Sequence, residues 1–127
     1  MVAIISSGKS IERILRYNGR KVVKGFANLL DEAKFGCDPN GLSFSEKVQR
    51  FRMLTRMNKN VKTNAIHISL NFSQADLLGR DRLVQIVRTY MQGIGFGNQP
   101  YLLYEHIDTI HPHVHLLTTH VDKDGKQ

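Results

Sequence analysis

Apolar and polar positions alternate most cleanly from Asn64 to Phe72. There Ile66, Ile68, Leu70 and Phe72 fall on one side, and Ala65, His67, Ser69 and Asn71 on the other. A period of two predicts a half-buried strand, here with a polar stripe that contains a histidine. Farther on, Leu83, Ile86, Val87, Tyr90, Met91 and Ile94 recur on one helical face, and Gly93, Gly95 and Gly97 stop the pattern. The region before that helix opens at Ser73, a capping residue with Asp76 three positions on, and Gly79 divides it.

Two more helices are marked by their starts. Ser10 caps a segment with Ile11, Ile14 and Leu15 at helical spacing, and the Asn-Gly turn signal in Tyr17-Asn18-Gly19 predicts its end. The capping box Ser43-x-x-Glu46 opens a second, with Phe44, Val48, Phe51 and Leu54 along it. Val2 to Ser6 reads as a short buried strand, and Cys37 to Gly41 as a loop. Residues 20–30 stay ambiguous, with Val22 and Val23 favouring strand. Pro100 to Asp108 and His113 to Val121 predict a hairpin, closed by a turn at Asp122-Lys123-Asp124-Gly125. Together these elements predict an α+β domain, a mostly antiparallel sheet with helices packed on one face.

Length and composition narrow the setting. A chain of 127 residues suits one compact domain. One cysteine, Cys37, excludes an internal disulfide. The apolar start is too short for a signal peptide, and no run approaches the ~20 residues that cross a bilayer, so the expected location is the cytoplasm, with no membrane partner. The net charge of +7 points to a polyanion, and it is unevenly placed. Residues 1–62 hold 13 Lys/Arg against 5 acids, and residues 63–127 hold 5 against 6. Arg13, Arg16, Arg20, Lys21 and Lys24 surround Tyr17, where they would attract phosphate. Lys47, Arg50, Arg52 and Arg56 give the second helix a face of nearly one sign, which suits a phosphate backbone.

The second half carries the chemistry. His106, Asp108, His111, His113, His115 and His120 crowd into 15 positions. His113 and His115 project from one face of a strand, with Cα atoms ~6.5 Å apart. A hairpin loop from Thr109 to Pro112 would set Asp108 opposite His113, His106 opposite His115 and Tyr104 opposite Leu117. That register gathers His106, His113, His115 and Asp108 on one side of the sheet. Three imidazoles leave open positions on a divalent ion, the arrangement of a catalytic metal site, with Asp108 to orient a ligand. His111, before Pro112 in the loop, competes as third ligand. His120 falls on the opposite face by parity and reads as a surface residue.

Two families resemble this pattern. His111-Pro112-His113-Val114-His115-Leu116-Leu117 is similar to the motif of histidine-triad nucleotide hydrolases, which would imply metal-independent chemistry centred on His113. A longer resemblance runs through Ile5-Ser6-Ser7-Gly8-Lys9-Ser10 leading to Tyr17-Asn18-x-x-Lys21-Val22, then His67-Ile68-Ser69-Leu70-Asn71, Gln99-Pro100-Tyr101, and His106-x-Asp108 through His113-x-His115. In that order these segments resemble relaxases, mobilization nucleases of the HUH endonuclease superfamily. Thr119-His120-Val121-Asp122-x-Asp124-Gly125-Lys126 is similar to the Bacteroides-type proteins of plasmids and mobilizable transposons.

The resemblance implies a site-specific transesterase acting on single-stranded DNA at an origin of transfer, with accessory mobilization proteins as further partners. It implies Tyr17 as nucleophile, His106, His113 and His115 as ligands of Mg²⁺ or Mn²⁺, and Asp108 as the supporting carboxylate. The expected DNA-contacting set is Arg13, Arg16, Arg20, Lys21, Lys24, Arg52, Arg56, His67 and Ser69. It also implies that residues 1–127 form one nuclease domain at the front of a longer bacterial protein. A non-catalytic basic module that binds single-stranded DNA around a structural metal is the remaining alternative.

Overall fold

The computed structural model describes residues 2–8, 11–33, 42–56, 65–72, 79–107 and 113–119, without the side chains of 7–8 and 54–56. In chain order the elements are β1 (Val2–Gly8), α1 (Ile11–Val23), β2 (Ala27–Ala33), α2 (Phe44–Arg56), β3 (Ala65–Asn71), α3 (Arg80–Gly93), β4 (Tyr101–His106) and β5 (His113–Thr118). The strands form one sheet in the order β1-β3-β5-β4-β2, and every pairing is antiparallel. This is the expected α+β class.

The helices divide between the two faces of that sheet instead of sharing one. Alternation along β3, β4 and β5 produces two apolar surfaces. Ile66, Ile68, Leu70, Leu103, Val114 and Leu116 pack with Leu83, Val87 and Met91 of α3. Ala65, Leu102, Tyr104 and Leu117 pack with Ile11 and Leu15 of α1 and Val48 and Phe51 of α2. Each such side chain, once fully buried, contributes about 1.5–3 kcal/mol. Glu12 of α1 also pairs with Arg16 at 2.9 Å and Arg52 at 3.0 Å, but exposed pairs contribute only about 0.2–1 kcal/mol. Burial therefore sets where α1 lies, and α1 carries Tyr17.

The Asn-Gly signal does not end α1. The helix runs on to Val23, because Asn18 is wholly buried and its amide is satisfied inside the fold, with Nδ2 donating to the Ile14 carbonyl at 3.0 Å. The stop comes at Gly25, whose φ is +80°. There Gly25 N–H donates to the Val22 carbonyl and Phe26 N–H to the Lys21 carbonyl, the paired bonds of a glycine C-cap. The ambiguous segment thus splits into the end of α1 and the edge strand β2. A register shift between Leu29 and Asp31 breaks the alternation that would have marked β2 as a strand. By contrast the Ser43/Glu46 capping box forms as expected, with Glu46 N–H donating to Ser43 Oγ at 3.2 Å and Ser43 N–H to Glu46 Oε1 at 3.1 Å.

Two strand expectations change. β1 is not buried: it lies at the sheet edge beside β3 alone, and Val2, Ile4 and Ile5 are each more than half exposed. In the hairpin, His106 pairs with His113, Tyr104 with His115 and Leu102 with Leu117, a shift of two residues from the expected register. The connection is 107–112. This register sets Leu102 against Leu117 and Leu103 against Leu116, each pair within one core, where the expected one would have placed threonines opposite both Leu102 and Leu103. A shift of two preserves the face of every side chain.

Candidate metal centre and basic groove

The side of the sheet that faces α1 and α2 is apolar at one end and imidazole-lined at the other. Leu117 and Tyr104 lie in the core, and the next same-side positions along their strands are His115 and His106. His106 and His113 oppose each other across β4 and β5, and His115 lies between Tyr104 on β4 and Ser69 on β3. Ligand atoms of His106, His113 and His115 all fall within 4.8 Å of one another, so the three can hold a metal ion. Their ring centroids are 3.8 Å apart for His106–His115, 5.2 Å for His106–His113 and 5.3 Å for His113–His115.

Imidazoles this close cannot all be protonated. The pKa of His115 is pushed down to about 3, chiefly by burial and then by its neighbours His106, His67, His113 and Lys21. Burial lowers that of His67 as well. Near neutral pH His115 thus keeps a lone pair, which is the form a metal binds.

Two neighbours support the cluster. His67 stacks on His115 with centroids 4.8 Å apart, its Nε2 2.6 Å from His115 Nδ1. Asn18 Oδ1 lies 2.7 Å from His106 Nε2. Sequence reasoning assigned His67 to DNA and gave Asn18 no role. The signal for Asn18 was present, since Ile11, Leu15 and Asn18 share one helical face and a polar residue on a buried face calls for a partner.

Tyr17 comes from the other half of the chain. Its ring centroid lies 6.2 Å from that of His106 and 6.5 Å from that of His115, and the residue is 49% exposed. No other tyrosine combines exposure with this position. Tyr104 is on the histidine side but 1% exposed, and burial pushes its phenol up to about 12. Burial does the same to Tyr101, and Tyr90 packs against the α3 core. Around Tyr17 a groove of about 540 Å³ is lined by Arg13, Arg16, Arg20, Lys21, Lys24 and Phe26. Lys21 Nζ sits 5.6 Å from the Tyr17 ring centre and 5.9 Å from that of Phe26, an exposed aromatic that the sequence reading did not select.

Five of the expected DNA-contacting cations therefore converge on Tyr17. Arg52 does not line that groove and pairs with Glu12. Ser69 neighbours His115 on β3 and accepts from Asn71 Nδ2 at 3.3 Å. Asp108, His111, His120, the caps Ser10 and Ser73, the final turn and the side chain of Arg56 lie outside the described residues. Among the described residues, no helix is long and apolar enough to cross a membrane.

An antiparallel sheet here presents three clustered imidazoles that could hold a metal ion, beside an exposed tyrosine and a cationic groove. The chain belongs to the relaxases: the family model "Relaxase: MobA/VirD2-like, nuclease domain" matches residues 17–127. Of the two families that its histidines resemble, this is the one matched. Membership makes the protein a DNA-nicking nuclease with DNA as partner, of a family that typically uses a divalent metal. No curated protein and no solved structure matches the chain.

Proposed function

We propose that the protein is a strand- and site-specific relaxase that nicks single-stranded DNA at an origin of transfer through a tyrosine transesterification, and so starts mobilization of a plasmid or transposon. The observation that carries this reading is the approach of Tyr17, from the basic first half, to within 6.2 and 6.5 Å of the His106 and His115 rings. Tyr17 Oη attacks the scissile phosphorus, a P–Oη bond forms, and the bond to the 3′ oxygen breaks to leave a 3′-OH and a 5′-phosphotyrosyl link. Arg13, Arg16, Arg20, Lys21 and Lys24 hold the backbone of the strand in the groove, and Lys21 offsets negative charge near the phenol.

His106, His113 and His115 would hold Mg²⁺ or Mn²⁺, and such an ion would supply Lewis-acid polarisation of the phosphate. Three nitrogen donors would suit an open catalytic site better than a closed structural one. Asp108, two residues after His106, is the carboxylate assigned to orient a ligand or receive the phenolic proton. Accessory mobilization proteins are the further partners of this reading, and residues 1–127 act as one nuclease domain.

The test is covalent attachment of a labelled single-stranded origin oligonucleotide with Mn²⁺ or Mg²⁺. The expected result is an adduct that survives denaturation, disappears with EDTA and is lost in Tyr17→Phe. An adduct of equal yield from Tyr17→Phe refutes the nucleophile assignment.

A further inference from the structure

Asn18 is fully buried, yet both ends of its amide are used. Nδ2 donates to the Ile14 carbonyl one turn back, at 3.0 Å, and Oδ1 lies 2.7 Å from His106 Nε2. The first bond fixes the polarity of the second. A carbonyl can only accept, so the amide nitrogen belongs on the Ile14 side and the oxygen on the imidazole side. An oxygen at that distance requires a proton on Nε2. Neutral His106 is thereby held as its Nε2–H tautomer, with the lone pair on Nδ1.

We propose that Asn18 is a positioning residue of the metal site: its amide locks His106 in the tautomer that presents Nδ1 to the ion, and the same bond pins the helix that carries Tyr17 against that ligand. The inference rests on the reading of the three histidines as metal ligands. The bond spans 88 residues and joins α1 to the end of β4, so it is made only when both are in place. Tyr17 and Asn18 are adjacent, and a shift of α1 that moved the tyrosine would also break the amide contact.

Partners of this kind affect metal binding strongly. A ligand histidine whose second nitrogen is hydrogen-bonded is fixed in ring orientation and tautomer, and loss of the partner typically lowers metal affinity by about 10- to 100-fold. The contact between His67 Nε2 and His115 Nδ1, at 2.6 Å, has no comparable polarity reference, because either ring can donate. It assigns no tautomer. Asn18 does, through the Ile14 carbonyl.

The first measurement uses the unaltered protein, free of metal. Long-range ¹H–¹⁵N correlation spectra should show His106 with a protonated Nε2 and an unprotonated Nδ1. The opposite pattern, or an averaged one, overturns the proposal. The second uses Asn18→Leu, which keeps the branching at Cγ and removes both the acceptor and the donor. Its Mn²⁺ affinity by calorimetry should fall by about 10- to 100-fold while the helical circular dichroism stays unchanged. Asn18→Asp keeps an oxygen toward His106 and should recover most of that loss.

A folded Asn18→Leu with the parent affinity, or an Asn18→Asp as weak as Asn18→Leu, overturns the proposal. If Asn18→Leu does not fold, the spectrum of the parent and the affinity of Asn18→Asp still decide. The parent reading fails separately: His113→Ala with undiminished Mn²⁺ affinity removes the metal site itself. Loss in His113→Ala without loss in Asn18→Leu removes only the role of Asn18.

Discussion

Five cations line the groove around Tyr17, and their number sets how binding to single-stranded DNA should depend on salt. Arg16 is shared with Glu12 at 2.9 Å, so the groove offers between four and five charges to phosphates. For single strands each neutralised phosphate adds about −0.7 to the slope of log affinity against log salt, which gives a slope of about −2.8 to −3.5. Raising salt from 50 to 200 mM should therefore weaken binding by about 50- to 130-fold. The perturbation is the double variant Arg20→Ala, Lys24→Ala, two exposed residues of the groove whose loss leaves the core untouched. It should flatten the slope by about 1.4, to about −1.4 to −2.1, and weaken binding by a similar factor for every oligonucleotide sequence. Fluorescence anisotropy of a labelled strand across a salt series reads both quantities. A parent slope near zero, or a variant slope equal to that of the parent, refutes the reasoning. So would an equal loss of slope when Arg82 is neutralised instead, because Arg82 lies on α3 at the far face of the sheet.

Acid should destabilise the metal-free protein. The His115 pKa lies near 3 when folded but near ~6.5 when unfolded, so the unfolded chain binds the extra proton first. The stability due to its neutral form is fully present above about 6.5, declines as pH falls and is gone below about 3. Urea midpoints across this window should fall less steeply for His115→Gln, and identical slopes would refute the assignment. Two glycines, one within α1 and one at its C-cap, should respond in opposite directions, since an added Cβ meets nothing within 4 Å at either. Gly19→Ala, in mid-helix, should stabilise by about 0.5–1 kcal/mol, whereas Gly25→Ala, at φ +80°, should cost about 1–2 kcal/mol. Thermal melts check the signs, and a stabilising Gly25→Ala would contradict the C-cap.

Much of the candidate site was legible because strand periodicity is local. A period of two puts His113 and His115 on one face and His67 in a polar stripe, whatever the strands later pair with. The two-residue error in hairpin register left the triad intact because it was even. An odd error would have sent His106 to the α3 side. The start of α2 was legible for the same reason, since the Ser43 capping box closes within four residues. The end of α1 was not legible from the Asn-Gly pair. Asn18 stays helical because it is buried against His106, a contact that no local rule contains.

By itself, then, the sequence determined the faces of β3, β4 and β5, the apolar faces of the helices, the cap of α2, the uneven charge and the family of histidine motif, all set by neighbours a few positions apart. Tertiary structure decided the register of β4 against β5, the exposure of β1 and the division of the helices between two faces. It also decided the pairing of His67 with His115 across 48 residues and the approach of Tyr17 to the histidines. These depend on which apolar surfaces meet and how much area each covers, a property of the whole packed chain that no segment carries alone.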